Sequence, residues 1–495
     1  MAEARPALAF GSSSIRRISR PITWAVLLFL GASALLPALN TQTQTSLVNP
    51  RGPLYFRPRG LVRRRAHQVV VSGGGPAGLL AARSVLDRRP DVSVTLFDRR
   101  GDPRTEEVKG FRAYSLGLNI RGRTALQHWD GLWDVVAARG LLSDRFLLHL
   151  AGQQLQLRTN KEGSVPTLLI ARNDLCAALL EDLVQRYGQT GRLSLKFGEA
   201  IEEVDLQQRV VTTTAGQAVS YDDLIGSDGV NSAVRKAMDA STAGFKSDVV
   251  DLKGQFKVWV GPCPEKMDPT AVHAMSSSGY TLFSIPRADK RLCTILSWNS
   301  DKEPAFLSET DSAIIDRIGA DFSTYGPPEA ASVEQLRKQR ASKATTIRAN
   351  KYHDAAGRAL LLGDAAHSTG GTLGQGANSA LADVVALDEL LTRSSQGSIV
   401  EVLGDEFSAM RQPEGLALWK LLQLPPKGPL SLLYLASQFL NGIFARLFQW
   451  SPPVQNLLSE TTTPYNKIVT ENSFWVDMAL KDAPGSKISD FEWES

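Results

Sequence analysis

The chain has 495 residues, of which 43% are hydrophobic and 21% charged, with a net charge of +4. This length and composition indicate two or three globular domains. Residues 1–67 hold ten arginines and one acid, a charge of +9, so the remaining residues carry −5. The body of the chain therefore lacks the basic surface of a nucleic-acid-binding protein. Three scattered cysteines predict neither a disulfide framework nor a metal site; they are Cys176, Cys263 and Cys293.

The first 67 residues have the composition of a targeting leader. Arg16, Arg17 and Arg20 precede an apolar run over residues 22–39 that ends in small residues. Residues 41–67 contain six arginines and no acid, as in organelle transit peptides. In tandem, the two parts resemble the bipartite leaders of algae whose plastids lie inside extra membranes, and they predict a plastid protein. The alternative is a mitochondrial or endomembrane protein anchored by residues 22–39, because 18 apolar residues can just span a bilayer.

A glycine-rich loop follows the first buried strand predicted in the body of the chain. Residues 69–71 are valines, and the sequence GGGPAG at 73–78 then opens a helix. The GxGxxG spacing permits a tight turn, close approach of the backbone to a diphosphate, and close packing of helix on strand. The helix N-terminus favours the negative charge of that diphosphate. The loop predicts dinucleotide binding through Gly73, Gly75, Pro76, Ala77 and Gly78.

The next predicted strand, residues 92–97, ends in an acid at the position expected of a ribose ligand. Asp98 follows Gly78 by 20 residues, and its carboxylate can accept hydrogen bonds from ribose hydroxyls. An acid at this position argues against a 2′-phosphate and for the unphosphorylated ribose of FAD. Arg99 is a further candidate cofactor contact, with a solvated surface arginine as the alternative.

Two later glycine-containing segments complete the pattern. Asp364 follows the apolar run 359–362, where its carboxylate can accept a hydrogen bond from a sugar or ribityl hydroxyl. The N–H groups of Ala377 and Asn378 open another helix, and a helix start can stabilise the negative charge of a reduced flavin. The sequence GSDG at 226–229 lies between the outer loops. Together these segments predict FAD, with candidate contacts at Asp228, Gly229, Gly363, Asp364, Gly374, Gln375, Gly376, Ala377 and Asn378.

In this order, the three loops resemble those of the single-component flavoprotein monooxygenases related to para-hydroxybenzoate hydroxylase. Within that family the chain is most similar to kynurenine 3-monooxygenase, over most of residues 68–425. The stretches that carry this likeness are RAYSLGLNIRGRTAL at 112–126, IARNDL at 170–175 and GQGAN at 374–378. The resemblance implies flavin contacts for Arg112, Gly117 and Arg172. It also implies that Asp228 and Gly229 serve both FAD and NADPH.

The resemblance further implies the reaction. NADPH and O2 would be used to hydroxylate an aromatic substrate through a flavin C4a-hydroperoxide. Since the cofactor carries this chemistry, no side chain is predicted to be catalytic. His367 is expected to pack near the flavin rather than to act as a base.

The chain departs from the family at the substrate. Three family residues, an Arg, a Tyr and an Asn, hold kynurenine. Only the Arg has a counterpart in this chain, Arg145, and it lies near the matching position rather than on it. The family's Pro-Phe-Phe beside the flavin is replaced by GTL at 371–373. The substrate is therefore left open between kynurenine, another aromatic compound and an isoprenoid. Two alternatives follow, a carotenoid or terpenoid epoxidase (or related flavin oxidoreductase) and a flavin-binding assembly protein of a membrane complex.

The predicted architecture is α/β: a Rossmann-like, GR2-type FAD-binding domain with an inserted mixed β-sheet substrate domain and a C-terminal helical region. The FAD-binding domain is assigned to residues 68–140, 172–240 and 345–395, and the substrate domain to 141–171 and 241–344. Residues 396–495 are predicted to be helical. Within them the apolar segment 429–450 has Arg446 as its only charged residue, so it is predicted either to pack on the body or to lie on a membrane surface.

Overall fold

The computed structural model describes residues 66–105, 114–150, 153–158, 165–394, 396–448, 452–481, 483–485 and 487–492. Residues 1–65 of the predicted leader, including 22–39, lie outside these ranges, as do Arg112 and residues 449–450, whereas His67 already belongs to the first strand. The predicted α/β class, with a second sheet and a C-terminal helical region, is confirmed.

Within the described residues, the strands form two large sheets and three small ones. In chain order they are β1 (His67–Ser72), β2 (Val92–Asp98), β3 (Ser115–Leu118), β4 (Leu141–Ser143), β5 (Phe146–Leu150), β6 (Gln153–Arg158), β7 (Thr167–Ala171), β8 (Leu193–Phe197), β9 (Ile201–Asp205), β10 (Val210–Thr213), β11 (Ala218–Ser220), β12 (Asp223–Gly226), β13 (Ser247–Asp251), β14 (Gln255–Pro262), β15 (Val272–Ser277), β16 (Tyr280–Pro286), β17 (Arg291–Trp298), β18 (Thr345–Ala349), β19 (His353–Asp354) and β20 (Ala359–Leu361).

The helices cover the first large sheet, back the second and form the C-terminal region. In chain order they are α1 (Pro76–Arg88), α2 (Ile120–Gln127), α3 (Leu132–Ala137), α4 (Arg172–Tyr187), α5 (Ala233–Ser241), α6 (Asp311–Asp321), α7 (Ala330–Lys338), α8 (Gly376–Leu391), α9 (Ile399–Leu422), α10 (Leu430–Phe448), α11 (Val454–Glu460), α12 (Tyr465–Glu471) and α13 (Ser473–Leu480).

The first sheet has the strand order β19-β20-β12-β1-β2-β8 and is parallel except for β19. Its central strand is apolar on both faces, and the three valines 69–71 are fully buried, because helices cover both sides of a parallel sheet. Parallel strands place their carboxyl ends at one edge. The residues that follow β1, β2, β12 and β20 therefore meet there, although they are far apart in the chain.

The second large sheet has the order β14-β17-β16-β15-β5-β6 and is antiparallel except where β5 meets β15. One face packs under α6 and α7 through residues such as Trp259 and Leu296. The opposite face is apolar and contacts Tyr114, which precedes β3, and Leu169, which lies in β7. We call this the inner face; its apolar residues include Phe146, Leu148, Phe256, Val258, Ala274, Phe283, Ile285, Cys293 and Ile295.

The segment 141–171 contributes to two sheets. Strand β7 lies between β3 and β4 in a three-stranded sheet, whereas β5 and β6 join the second large sheet. The small sheet leads directly into α4, because β7 ends at the residue before Arg172. This arrangement carries the chain from the inner face to the edge of the first sheet.

The C-terminal helices pack around Leu373, Leu418 and Ile468. Helix α10 joins this cluster through Tyr434, while its other side exposes Leu432, Leu433, Phe439 and Leu440. Over the described ranges, none of the helices is both long enough and apolar enough to cross a bilayer. Helix α10 thus has one packed and one exposed apolar side.

Candidate cofactor and active site

The first glycine-rich loop is held by very close backbone contacts. Gly73 has a φ of 103°, which favours glycine. A Cβ on Gly78 would lie 1.9 Å from the carbonyl oxygen of Gly73 and 2.4 Å from Ser227 Oγ. That hydroxyl donates to the carbonyl oxygens of Ser72 and Gly73, both at 2.9 Å. Gly73 and Gly78 are therefore required by packing between the first loop and the 226–229 segment.

The start of α1 offers hydrogen-bond donors to an anion. Gly75 precedes the helix without a capping side chain, and Pro76 opens it. The first amide bonded back to the turn is that of Leu79, which donates to the carbonyl oxygen of Gly75 at 3.0 Å. The preceding N–H groups of Ala77 and Gly78 have no acceptor within the described part of the chain. Such a helix start is a binding site for phosphate groups.

Asp98 lies against this loop at the carboxyl end of β2. Its Oδ2 accepts the N–H of Gly74 at 2.7 Å, and its Oδ1 accepts the N–H of Arg100 at 2.7 Å. Burial raises the pKa of Asp98, and the hydrogen bond from Gly74 opposes that rise. The Asp98 carboxylate is therefore placed to bind a ribose that lies beside the loop. The side chain of Arg99, the other predicted contact here, is exposed.

The turn after β12 contains a buried acceptor without a partner. Asp228 Oδ2 accepts hydrogen bonds from Ser72 Oγ at 3.1 Å and from the N–H of Ala233 at 2.9 Å. Its Oδ1 is buried and has no hydrogen bond within the described residues. Gly229 has a φ of 78°, and a Cβ there would meet open space. The turn therefore presents one unpaired carboxylate oxygen beside an uncovered backbone.

Asp364 lies in the tight turn after β20. Gly363 has a φ of 57°, and its N–H donates to Asp383 Oδ2 at 2.9 Å. The Asp364 carboxylate is accessible, yet desolvation by the surrounding protein raises its pKa despite the positive charge of Arg172. It forms no hydrogen bond or ion pair with the described residues. A Cβ on Gly376 would lie 3.6 Å from its Oδ1, which places the carboxylate beside the start of α8.

Arg172 brings these elements together. It is the first residue of α4, and its Nη2 lies 3.2 Å from the position of a Cβ on Gly75. Its charge also acts on the carboxylates of Asp98 and Asp364. The guanidinium makes no hydrogen bond or ion pair to any residue that the structure describes. Arg172 therefore stands among three chain-distant parts of the predicted site with its donors available.

The start of α8 provides a second set of backbone donors. The helix begins at Gly376, and the first amide with a backbone acceptor is that of Ser379, which donates to Gln375 O at 2.8 Å. The N–H groups of Ala377 and Asn378 precede it, so they can face a ligand, as the sequence predicts. Gly374 has a φ of 64°, which a glycine adopts without strain.

The side chain of Asn378 has a structural task that the sequence did not reveal. Its Oδ1 accepts the N–H groups of Asn119 at 3.2 Å and Gly122 at 3.1 Å. Its Nδ2 donates to the carbonyl oxygens of Gly117 at 3.1 Å and Gly374 at 3.0 Å. The side chain is therefore fully engaged in joining β3 and α2 to α8. Asn378 can contact a cofactor only through its main chain, and the carbonyl of Gly117 is likewise already bonded.

A buried charge cluster beneath the Gly363 turn was also missed. Asp383 Oδ2 accepts His367 Nε2 at 2.6 Å, and its Oδ1 accepts Arg411 Nε at 2.8 Å. Burial acts to raise the pKa of Asp383, but His367 and Arg411 outweigh it and lower that pKa. The only sequence signal was Asp383 itself, an acid that lies between the apolar residues 380–382 and 384–387. His367 is buried here as a structural partner, consistent with its expected packing role.

Arg145 lies in the loop between β4 and β5, where it forms an ion pair with Asp268. Its side chain is 42% exposed. The structure thus gives Arg145 a surface partner, and its role in substrate binding stays a prediction.

The geometry matches a flavin adenine dinucleotide. Unpaired N–H groups at two helix starts suit its diphosphate and its flavin ring, and the carboxylates of Asp98 and Asp364 suit its hydroxyl groups. The family described as "FAD binding domain" matches residues 66–421. The class of the protein is therefore that of an FAD-binding flavoprotein.

Relatives narrow this class. The chain is 28% identical over 375 residues to a kynurenine 3-monooxygenase of Stenotrophomonas maltophilia, covering 73% of this chain and 79% of that protein. It is 30% identical over 330 residues to the kynurenine 3-monooxygenase of Xanthomonas axonopodis pv. citri, covering 64% and 70%. The chain belongs to the FAD-dependent aromatic monooxygenases and is an oxidoreductase. The family predicted from the sequence is confirmed.

Solved structures agree with this fold. A tetrameric form of 2-methyl-3-hydroxypyridine-5-carboxylic acid oxygenase matches with a TM-score of 0.57 at 19% identity, covering 81% of this chain and 95% of that one. The protein PqsL of P. aeruginosa, in complex with 2-aminobenzoylacetate, matches with a TM-score of 0.54 at 18% identity, covering 71% and 93%. At these identities the likeness establishes the fold alone.

Proposed function

We propose that the protein uses NADPH and O2 to hydroxylate a small aromatic substrate. The observation that carries this proposal is the position of Arg172 beside Gly75 and near the carboxylates of Asp98 and Asp364. Arg172 thereby brings chain-distant parts of the predicted site together. Two relatives of the chain are named kynurenine 3-monooxygenase, which supports the same proposal.

Bound FAD would supply the electron transfer from NADPH and the activation of O2, which side chains cannot provide. The amides of Ala77 and Gly78 would hold its diphosphate, and Asp98 would accept hydrogen bonds from its ribose. Asp364 would accept a hydrogen bond from its ribityl chain. The start of α8 would favour negative charge on the ring system through its amides and its helix dipole.

The substrate is proposed to lie between this site and the inner face of the second sheet. Phe283 and Ile295 are half-buried there, and Phe146 packs 6.0 Å from Phe283, measured between ring centroids. Apolar walls suit an aromatic ring and exclude water from the reacting atoms. Kynurenine is the first compound to test, because relatives are named for it; contact with Arg145 is part of the same proposal.

A substrate screen tests the proposal. The FAD-loaded protein is mixed with NADPH and with kynurenine, uncharged aromatic compounds or isoprenoids, while NADPH loss, peroxide release and oxygenated product are measured. We expect an aromatic compound to accelerate NADPH oxidation and to yield a product that carries one atom of labelled O2. NADH in place of NADPH measures the nucleotide preference.

The other outcomes separate the remaining alternatives. Product from isoprenoids alone would replace the proposal with epoxidation of a lipid-like substrate. FAD binding without any substrate-stimulated NADPH oxidation would favour a flavin-containing assembly protein. A wild-type protein that binds no FAD would contradict every one of these functions.

Location and membrane contact remain separate proposals. The composition of residues 1–67 supports a plastid, and the exposed apolar side of α10 supports contact with a membrane surface. Sequencing the N-terminus of the mature protein and fractionating organelles test the first. Binding of the full protein to vesicles, with and without acidic substitutions at Leu433 and Phe439, tests the second.

A further inference from the structure

Buried hydrogen bonds join the C-terminal helices to the start of α8. Tyr465, the first residue of α12, is 2% exposed, and so is Gln375, which precedes α8. Tyr465 Oη donates to Gln375 Oε1 at 3.1 Å. Asn119 Nδ2 donates to the same oxygen at 3.3 Å. One amide oxygen beside the predicted flavin site therefore receives two donors from distant parts of the chain.

These contacts fix the orientation of the Gln375 amide. The N–H of Arg121 can only donate, and it bonds Asn119 Oδ1 at 2.9 Å. The Nδ2 of Asn119 is then the atom that faces Gln375, so Gln375 must present its oxygen there. Its Nε2 points away from both donors and has no hydrogen-bond acceptor among the described residues. Unlike Asn378, Gln375 thus keeps two N–H donors available.

The segment that carries Tyr465 is itself firmly attached. The buried guanidinium of Arg121 donates to three carbonyl groups within residues 457–463 and lies 4.2 Å from the centroid of the Tyr465 ring. The carboxylate of Glu414 accepts the N–H groups of Tyr465 at 2.7 Å and Asn466 at 3.2 Å. The hydroxyl of Tyr465 can therefore be removed while its ring and backbone stay in place.

We propose that Tyr465 is a positioning residue for the cofactor site. Together with Asn119 it holds Gln375 so that Nε2 donates to the ligand bound at the start of α8. The C-terminal helical region then completes the site instead of merely covering it. The proposal rests on the proposed function only in taking FAD as that ligand.

The test is the variant Tyr465→Phe, with FAD binding measured by fluorescence on the full-length apoprotein. Loss of one of two orienting hydrogen bonds is expected to raise the Kd for FAD about three- to tenfold and to change the visible absorption bands of bound FAD. The melting temperature of the apoprotein is expected to stay within about 2 °C of wild type, because the ring contact with Arg121 persists.

Tyr434→Phe is the matched control. Tyr434 is buried in the same C-terminal cluster, with its ring centroid 5.5 Å from that of Trp475, and its side chain does not bond the Gln375 loop. The Tyr434→Phe variant should therefore bind FAD with the same Kd as the wild-type protein. The variant Gln375→Met removes the proposed donor itself, so it should weaken FAD binding at least as much as Tyr465→Phe. The double variant should bind FAD no more weakly than Gln375→Met, because Tyr465 acts only through Gln375.

The inference would be overturned if Tyr465→Phe kept the wild-type Kd for FAD and the wild-type absorption spectrum. It would also be overturned if Tyr434→Phe changed the Kd for FAD as much as Tyr465→Phe does. Neither measurement requires NADPH or substrate. Normal FAD binding with the expected Tyr465 effect but no hydroxylation would contradict the proposed function and leave this inference standing. Failure of the wild-type protein to bind FAD would overturn both.

Discussion

The carboxyl edge of the first sheet and the inner face of the second sheet form their surfaces by different means. At the edge, each contact requires one residue type at one position: no Cβ at Gly78, a carboxylate at Asp98, bare amides at Ala77. On the inner face, Phe283 and Ile295 contribute shape and apolar area, which several residues of similar volume could replace. The sequence therefore restricts which cofactor can bind far more strictly than it restricts which substrate can bind.

The largest effect is expected from Gly78→Ala, which tests whether the carboxyl edge of the first sheet tolerates a different residue at this position. The new Cβ would overlap the carbonyl oxygen of Gly73 at 1.9 Å, a backbone atom that cannot turn aside. We expect loss of FAD binding by at least about 100-fold or failure to fold, measured by FAD fluorescence and circular dichroism. Gly442→Ala, whose Cβ would lie 3.6 Å from its nearest neighbour, is the control. Retained FAD binding in Gly78→Ala would refute the close packing of the loops.

Asp383→Asn tests whether the edge depends on charges that lie beneath it. The change leaves Arg411 and His367 without their buried anion, at a cost of about 3–5 kcal/mol in the free energy of unfolding. It also weakens the hydrogen bond to the Gly363 turn, so FAD affinity should fall as well. Urea unfolding measures the first effect. Asp405→Asn is the control, since that side chain is 91% exposed. A loss below about 1 kcal/mol would show the cluster to be unimportant.

Phe283→Leu tests the tolerance of the inner face. A similar apolar volume should cost only about 1–1.5 kcal/mol in the free energy of unfolding and should leave the Kd for FAD unchanged. The KM for the aromatic substrate should change, because part of the proposed wall changes shape. Phe474→Leu, at a residue that is 59% exposed, controls for the loss of a ring. A weaker FAD affinity in Phe283→Leu would mean that the two surfaces are not independent.

The smallest effect concerns pH. On the outer side of the second sheet, His273 Nε2 donates to the carbonyl of Asp268 at 2.9 Å, so its Nδ1 accepts from His149 Nε2 at 2.9 Å. Burial and the neighbouring ring lower the pKa of His149 to about 4. The unfolded chain binds more protons between about pH 6.5 and 4, so stability rises with pH across that window.

Replacing His149 with Asn should remove part of this dependence, by about 1 kcal/mol after solvent screening. Melting temperatures at pH 4.5 and pH 7 measure it in both proteins. An identical pH dependence in wild type and variant would show that the histidine pair does not titrate in this window.

The sequence predicted the parts of the site that depend on local conformation. The loop at 73–78, the acid at Asp98 and the helix start at Gly376 each impose a backbone geometry that glycine and strand-ending acids reveal. It did not predict the network of Asp383 or the contact of Tyr465 with Gln375, because their partners meet only after helices dock. It also could not divide residues 141–171 between two sheets, since alternating apolar residues do not specify which neighbour a strand will choose.

The order of strands in the first sheet bears on how the protein is made. Strand β12 lies between β1, which is synthesised early, and β20, which is synthesised after the entire second large sheet. One edge of β12 must therefore stay unpaired while more than a hundred further residues are synthesised. Asp364 and the start of α8 follow β20 in the chain, so the site for FAD can close only late in translation.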